Sequence, residues 1–396
     1  MPLGLYISVP FCRTKCSYCN FASDVFSRAI FARYVDRVCA DIEDTPSMAT
    51  AMAASADHVL DSIYLGGGTP TVLDGVQLER LFGAIRQNFD IQEGSEITVE
   101  CAPGTLTSAV LETLLRCGVN RVSLGVQSFV DKEAAAVGRQ HKRATVLDDI
   151  ARLREAGMTN INVDLIAGLP YQTAESWDFS LAETLATGAP HVSVYMLEVD
   201  DDSRLGRELI AGGTRYHAHF VPNEDAIADF YLAACERLNA AGVHQYEISN
   251  FARERFQSRH NLKYWTRQPY LGFGVDAHSM LKTGAAIDGV DAVRFSTPES
   301  LEDYIAAKPL NQTPVTRREA LEETFFLGLR LTRWVNLNEV VEEFSDAAIE
   351  PLLEAVCEFE GAGLMEKSGD VIRLTARGRL LSNEVFEKFI TTAEQV

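Results

Sequence analysis

The sequence predicts an α/β protein: a partial (β/α)6 barrel of the TIM type, followed by a C-terminal mixed helical module with a β wing. Three observations carry this reading. Short β-branched runs alternate six times with amphipathic segments in the first 200 residues, which implies parallel strands joined by right-handed crossovers. The spacing is short and no dinucleotide fingerprint accompanies it, which favours a barrel over an open nucleotide-binding sheet. Finally, Cys12, Gly66 to Thr69, Glu100, Gln127, Asp164 and Glu198 fall at or just after the C-terminal end of an expected strand. That end is where barrels build their sites.

The expected strands are Leu5 to Val9, Ser62 to Leu65, Ile97 to Val99, Arg121 to Val126, Ile161 to Ile166 and His191 to Met196. Between them Val76 to Asn88, Ser108 to Cys117, Ala144 to Ala156 and Ala174 to Thr187 carry apolar residues at three- and four-residue intervals and read as helices. The barrel is therefore assigned residues 1–200. Near residue 200 the rhythm breaks at Asp200 to Ser203 and Gly212-Gly213, so 201–315 is expected to be an irregular extension. It holds a helix near Asp225 to Ala241 and an aromatic, Gly-rich stretch from Tyr246 to Met280. Residues 316–396 return to a compact pattern: helices at Leu321 to Leu331 and Asp346 to Ala362, an alternating pair around Gly369-Asp370, and a last helix from Ala376. This module resembles a winged helix in outline.

Composition narrows the function. The 396 residues are 46% hydrophobic and 23% charged, as in a globular protein. A net charge of −20 argues against coating a phosphate backbone, and the last module has no dense basic helix, so nucleic acid is not expected as a partner. No stretch is long and apolar enough to span a membrane and no export signal is visible, so a cytoplasmic location is expected. Structural disulfides are then improbable, and the eight cysteines need another account.

Cys12-x3-Cys16-x2-Cys19, directly after the first strand, is the strongest signal. Three thiolates on a loop that also carries Arg13 and Lys15 can be held deprotonated and converge on one metal centre. A structural zinc site is the alternative, but it wants a fourth Cys or His. An iron–sulfur cluster with one open iron position fits the three better.

This loop resembles that of the radical S-adenosylmethionine (SAM) enzymes, and Gly66-Gly67-Gly68-Thr69-Pro70 is similar to their second-strand motif. The resemblance implies a [4Fe-4S] cluster on Cys12, Cys16 and Cys19, with SAM at the open iron. It narrows to the coproporphyrinogen oxidase-like branch through Tyr6, Pro10-Phe11, Leu124 to Phe129, Asn162 to Pro170 and Gly378 to Asn383. On that likeness Tyr6, Tyr18, Gly67, Gly68, Thr69, Glu100, Gln127, Arg139, Asp164 and Glu198 line the SAM pocket. Carboxylates such as Glu100 and Asp164 can accept from ribose hydroxyls or an amine, and Arg139 can meet a carboxylate.

Two features separate the branch's members. The oxidase adds a fourth cysteine two residues after the third, where this chain has Phe21. His260-Asn261-Leu262-Lys263-Tyr264-Trp265 instead matches a motif of the haem-chaperone family of the same fold, in which the His is associated with haem. The resemblance thus implies haem at His260 and transfer to apo-haemoproteins; the chemistry of the block is compatible, since Tyr264 and Trp265 offer flat faces and Arg259 and Lys263 can meet propionates. A respiratory-chain recipient would require contact with a membrane surface. The rival is porphyrinogen decarboxylation through a SAM-derived radical. Cys39, Cys117, Cys235 and Cys357 read as core, Cys101 is left without a role, and His217-x-His219 lacks a third ligand.

Overall fold

The computed structural model describes residues 1–284, 289–333 and 335–390. All six expected parallel strands are present: β1 (Leu3–Val9), β2 (Val59–Gly67), β3 (Asp90–Cys101), β4 (Arg121–Gln127), β5 (Ile161–Ala167) and β6 (His191–Met196). The crossovers carry α1 (Phe31–Glu43), α2 (Thr45–Ala51), α3 (Gly75–Asn88), α4 (Ser108–Arg116), α5 (Asp131–Ala136), α6 (Arg143–Glu155) and α7 (Ala174–Ala186). Of these α2 and α5 were not anticipated as elements, and α1 only through the helical pattern around Cys39. The start of β3 was missed because residues 90–94 are mostly exposed and polar, with no buried face to impose alternation.

The segment expected to be irregular is where the structure departs most from the sequence reading. After α8 (Arg204–Ala211) and α9 (Glu224–Ala240) it places β7 (His244–Gln245) and β8 (Asn250–Ala252), then α10 (Arg259–Trp265). Next come β9 (Tyr270–Gly274), β10 (His278–Lys282), β11 (Val290–Ser296), α11 (Leu301–Ile305) and β12 (Asn311–Thr316). These strands join the same sheet, whose order is β12-β11-β10-β9-β1-β2-β3-β4-β5-β6-β8-β7. β9 runs parallel to β1, pairing Gly4 with Tyr270 and Ser8 with Gly274, so the extension widens the partial barrel on both edges.

Residue alternation divides the sheet into two chemistries. Leu5, Ile7, Ile63, Val99, Val122, Leu124, Val163 and Val194 point to the helices and are buried. The opposite face carries Tyr6, Ser8, Ser62, Tyr64, Glu96, Glu100, Arg121, Ser123, Asn162, Asp164 and His191. It is a polar lumen rather than the apolar stack of a closed TIM barrel. Asn162 Nδ2 donates to Ser123 Oγ, Asp164 Oδ1 and Ser193 Oγ at 2.7–2.9 Å, and the His191 ring bridges Asn162 Oδ1 and the Tyr246 hydroxyl. Such a network is tolerable only when nearly every member is satisfied.

The C-terminal module comprises α12 (Arg317–Gly328), β13 (Val335–Asn336), α13 (Leu337–Phe344), α14 (Asp346–Gly361), β14 (Met365–Ser368), β15 (Val371–Leu374), α15 (Ala376–Leu380) and α16 (Ser382–Glu387). Its three strands form a separate antiparallel sheet over its own apolar core, in keeping with a winged-helix outline. Buried Arg267 ties α12 to the main sheet, bonding Glu323 at 2.9 Å and Asp291 at 2.8 Å. Among the described residues no helix is long and apolar enough to cross a membrane.

Candidate functional site

The three cysteines sit on a loop braced by backbone bonds rather than by their thiols. Cys12 N–H donates to Asp24 O and Asp24 N–H to Pro10 O, closing the loop's ends. Ser17 N–H donates to Val137 O beyond α5, and Leu205 N–H of α8 donates to Ser17 O. The cations expected to hold the thiolates do other work. Lys15 Nζ binds the carbonyls of Phe21 and Ser23, both at 2.6 Å, and Arg13 reaches Gly104 O at 3.1 Å. Burial pushes the Cys12 thiol up, and the neighbouring Cys19 and Cys16 charges add to it, so three ionised thiols here call for a positive centre among them. Among the described residues no three Cys, His, Asp or Glu side chains converge on a single ion. Thiolates that each hold a different iron of a cluster have no need to.

Beside the loop, the end of β2 makes a tight glycine turn against it. Gly68 N–H and Thr69 N–H bond Val9 O and Phe11 O at 2.8 Å, and a Cβ on Gly68 would lie 3.1 Å from Cys12 Sγ. Gly67 has φ +93°, a conformation glycine adopts freely. Next to it Glu100 accepts from the Tyr64 hydroxyl at 2.8 Å. Burial pushes the Glu100 carboxyl up to about 7, against the Tyr64 hydrogen bond and with help from Asp164.

Further round the rim, Arg139 donates to the Tyr18 hydroxyl at 3.3 Å. Gln127 is buried at φ +66°, a strained conformation for a side-chain-bearing residue, and its Oε1 has no partner among the described residues. Arg139 Nε is likewise unpartnered, and Asp164 accepts from Ser123 Oγ at 2.9 Å. Free thiols, a glycine cradle, an idle amide oxygen and an idle guanidinium nitrogen on one rim fit a cluster with a polar zwitterionic ligand. Glu198 stands apart: it is exposed, and its charge acts on Arg330.

His260, the residue expected to meet haem, is deeply buried. It is 1% exposed, inside the lumen at the level of Gly4 and Ser62. Its Nδ1 lies 3.0 Å from Ser62 Oγ and its Nε2 2.8 Å from the Tyr264 hydroxyl, so both ring nitrogens are engaged. Burial, then the Lys263 charge, pushes its pKa down to about 3 and keeps it neutral. Glu96 accepts from Ser258 Oγ and from the Arg259 and His260 N–H groups, capping α10 from inside the barrel. Lys263 is consumed by Asp61 at 2.8 Å and Pro2 O at 2.9 Å, Arg259 by Gly94 O, and the Trp265 ring is covered by Arg330.

What does open to solvent is a cavity of about 310 Å³ between the cysteine loop and α10, walled by Tyr6, Phe21, Gly67, Tyr264, Tyr270 and His278. Tyr270 was not anticipated, since its strand is recognisable only by its pairing with β1. The lumen residues Ser62, Tyr64, Glu96 and Arg121 were missed too, although strict alternation in these strands was a usable signal. Of the other cysteines, Cys117 and Cys101 are core, Cys39 and Cys235 are half-buried, and Cys357 is exposed, against expectation. Cys101 faces the helices.

The elevated Glu100 carboxyl makes a pH prediction. Its ordinary value is 4.5, so its contribution to stability is fully present below about 4.5 and lost as pH rises through about 7. Glu100→Gln is expected to gain on wild type by on the order of 2 kcal/mol between pH 5 and pH 8. Denaturant melts at the two pH values measure this; a pH-independent difference contradicts it.

A partial barrel with three cysteines after its first strand and a glycine turn after its second defines the radical SAM class. Comparison with known proteins agrees: the radical SAM superfamily matches residues 6–183, and the HemN C-terminal domain matches residues 315–381. Over 97% of its length the chain is 36% identical to "Heme chaperone HemW" of Bacillus subtilis, covering 98% of that protein. It is 29% identical to the Escherichia coli protein of the same name over 98% of both. The chain belongs to the HemW family. The solved radical SAM enzyme HemN, coproporphyrinogen III oxidase from Escherichia coli, superposes with a TM-score of 0.82 over 98% of this chain and 90% of that one. At 23% identity this speaks for the fold alone.

Proposed function

We propose that this protein is a haem chaperone that binds haem in the cytoplasm and passes it to recipient haemoproteins. It carries a [4Fe-4S] cluster on Cys12, Cys16 and Cys19, with SAM on the rim from Tyr6 and Tyr18 to Asp164. The carrying observation is its near-full-length similarity to proteins named heme chaperone. The aromatic cavity beside the cluster loop supports it, and Phe21, 64% exposed, is one wall of that cavity where the oxidase has its fourth cysteine. A bound cluster would supply an iron with a free position for the amino-acid end of SAM. Around it, Gly67 and Gly68 let backbone approach, Arg139 and Gln127 offer polar groups, and Glu100 and Asp164 accept hydrogen bonds.

The test is an anaerobic haem titration of cluster-reconstituted protein followed by mixing with an apo-haemoprotein. Saturable binding and transfer are expected. No saturable binding, together with SAM cleavage and decarboxylation when coproporphyrinogen is added, would replace this reading with the enzymatic one.

A further inference from the structure

We propose that the apolar and cationic surface flanking the cysteine loop is where a recipient haemoprotein docks, with its empty haem slot facing the mouth of the aromatic cavity; this rests on the haem-chaperone reading. Of the thirteen large apolar side chains that stand exposed among the described residues, six lie on two short stretches. Phe21, Val25 and Phe26 follow the cysteines, and Leu209, Ile210 and Phe220 belong to α8 and the turn beyond it. Single exposed apolar residues are ordinary, whereas a concentration of them marks an interaction surface. The two stretches meet at the loop: Arg204 reaches Lys15 O at 3.2 Å and Asp24 at 4.0 Å, and Asn20 donates to Asp200 at 3.2 Å. Phe21 is also a wall of the cavity, so the surface runs into its mouth.

Charge selects the partner. Residues 12–33 and 199–220 hold seven Arg and Lys against five Asp and Glu, a net of +2 on a chain of −20. Glu208 is buried and spends its carboxylate on the Tyr216 and Ala218 N–H groups. Arg28 and Arg33 are exposed and have no ion pair among the described residues. An acidic protein is therefore drawn to this face and repelled by the rest of the chain. Asp24, Asp201 and Asp202 stand exposed among the arginines. They oppose a uniformly anionic lipid surface, whereas a protein face can meet each charge with its opposite. A recipient seated here covers the cavity mouth, and haem passes from one apolar pocket to the next without crossing water.

The test mixes haem- and cluster-loaded protein with apomyoglobin whose residues round the haem slot are set either to glutamate or to lysine, and follows transfer by stopped-flow absorption. Docking predicts a rate that rises with acceptor concentration and saturates. Below saturation and at low salt it should be at least about tenfold higher for the glutamate acceptor, a difference that added salt shrinks. Arg28→Glu/Arg33→Glu should abolish that preference, and Val25→Ser/Ile210→Ser should slow transfer to both acceptors, each with haem affinity unchanged. Lys367→Glu/Arg377→Glu, the same change of charge on the C-terminal module, and Leu115→Ser, where α4 leads into the start of β4, should behave as wild type. Thermal melts confirm folding of each variant. A rate independent of acceptor concentration, equal rates to the two acceptors, or equal losses in the control variants would overturn the docking surface and leave the chaperone reading standing. So would binding to phosphatidylglycerol vesicles that Val25→Ser/Ile210→Ser loses while its transfer rate stays that of wild type. A wild type that binds no haem overturns the chaperone reading and this docking site with it.

Discussion

Cys16→Ser is expected to abolish the iron–sulfur cluster while leaving the protein folded. A serine hydroxyl is not ionised near neutral pH, so it does not replace a thiolate, and two remaining thiols cannot fill three iron positions. The loop itself should survive, because its shape depends on Lys15 gripping the carbonyls of Phe21 and Ser23 and on Ser17 bridging Val137 and Leu205. Iron and sulfide are expected to fall to background after anaerobic reconstitution, with the thermal transition of the cluster-free protein unchanged. Full iron and sulfide in this variant would overturn the ligand set; loss of fold would show that the thiol has a packing role the backbone contacts do not reveal.

Gly274→Ala is expected to be among the most damaging single substitutions. Gly274 ends β9 at φ +99°, opposite Ser8 of β1, and an added Cβ would stand 2.3 Å from Ser8 O and 2.6 Å from the Tyr34 hydroxyl. Relief would separate β9 from β1 and break the Tyr34 hydrogen bond to Ser8 O, at 2.7 Å. A cost above about 4 kcal/mol follows from strain and clash together. Gly83→Ala is the control: within α3 nothing lies within 4 Å of its Cβ, and alanine should stabilise the helix by about 0.5–1 kcal/mol. Urea melts of the two variants should move in opposite directions. A Gly274→Ala protein as stable as wild type would show that β9 is not fixed to β1 as described.

The six parallel strands were legible because each buries an apolar face against helices, which stamps alternation or a β-branched run on the sequence. Cys12, Cys16, Cys19 and the Gly66 to Thr69 turn were legible because their spacing is local chemistry. β9 was not: Tyr-Leu-Gly-Phe-Gly has no periodicity of its own and becomes a strand by pairing with β1. The HNxxYW block shows the same limit. Its residues were readable, but their directions were not, and it is direction that sends His260 and Lys263 inward and leaves Tyr264 on the cavity.

By itself, then, the sequence determined the barrel, its cysteine loop and the strand ends that form the rim, since these depend on side-chain period and on contacts between near neighbours. Tertiary structure alone decided that the lumen is polar and hydrogen-bonded across strands, that α10 is capped by Glu96 from across the barrel, and which aromatic group meets solvent. Those outcomes depend on hydrogen bonds between residues as far apart as Ser62 and His260. Such partners leave no mark on the local pattern, because a buried polar side chain is stabilised by the group opposite it in space rather than by its neighbours in the chain.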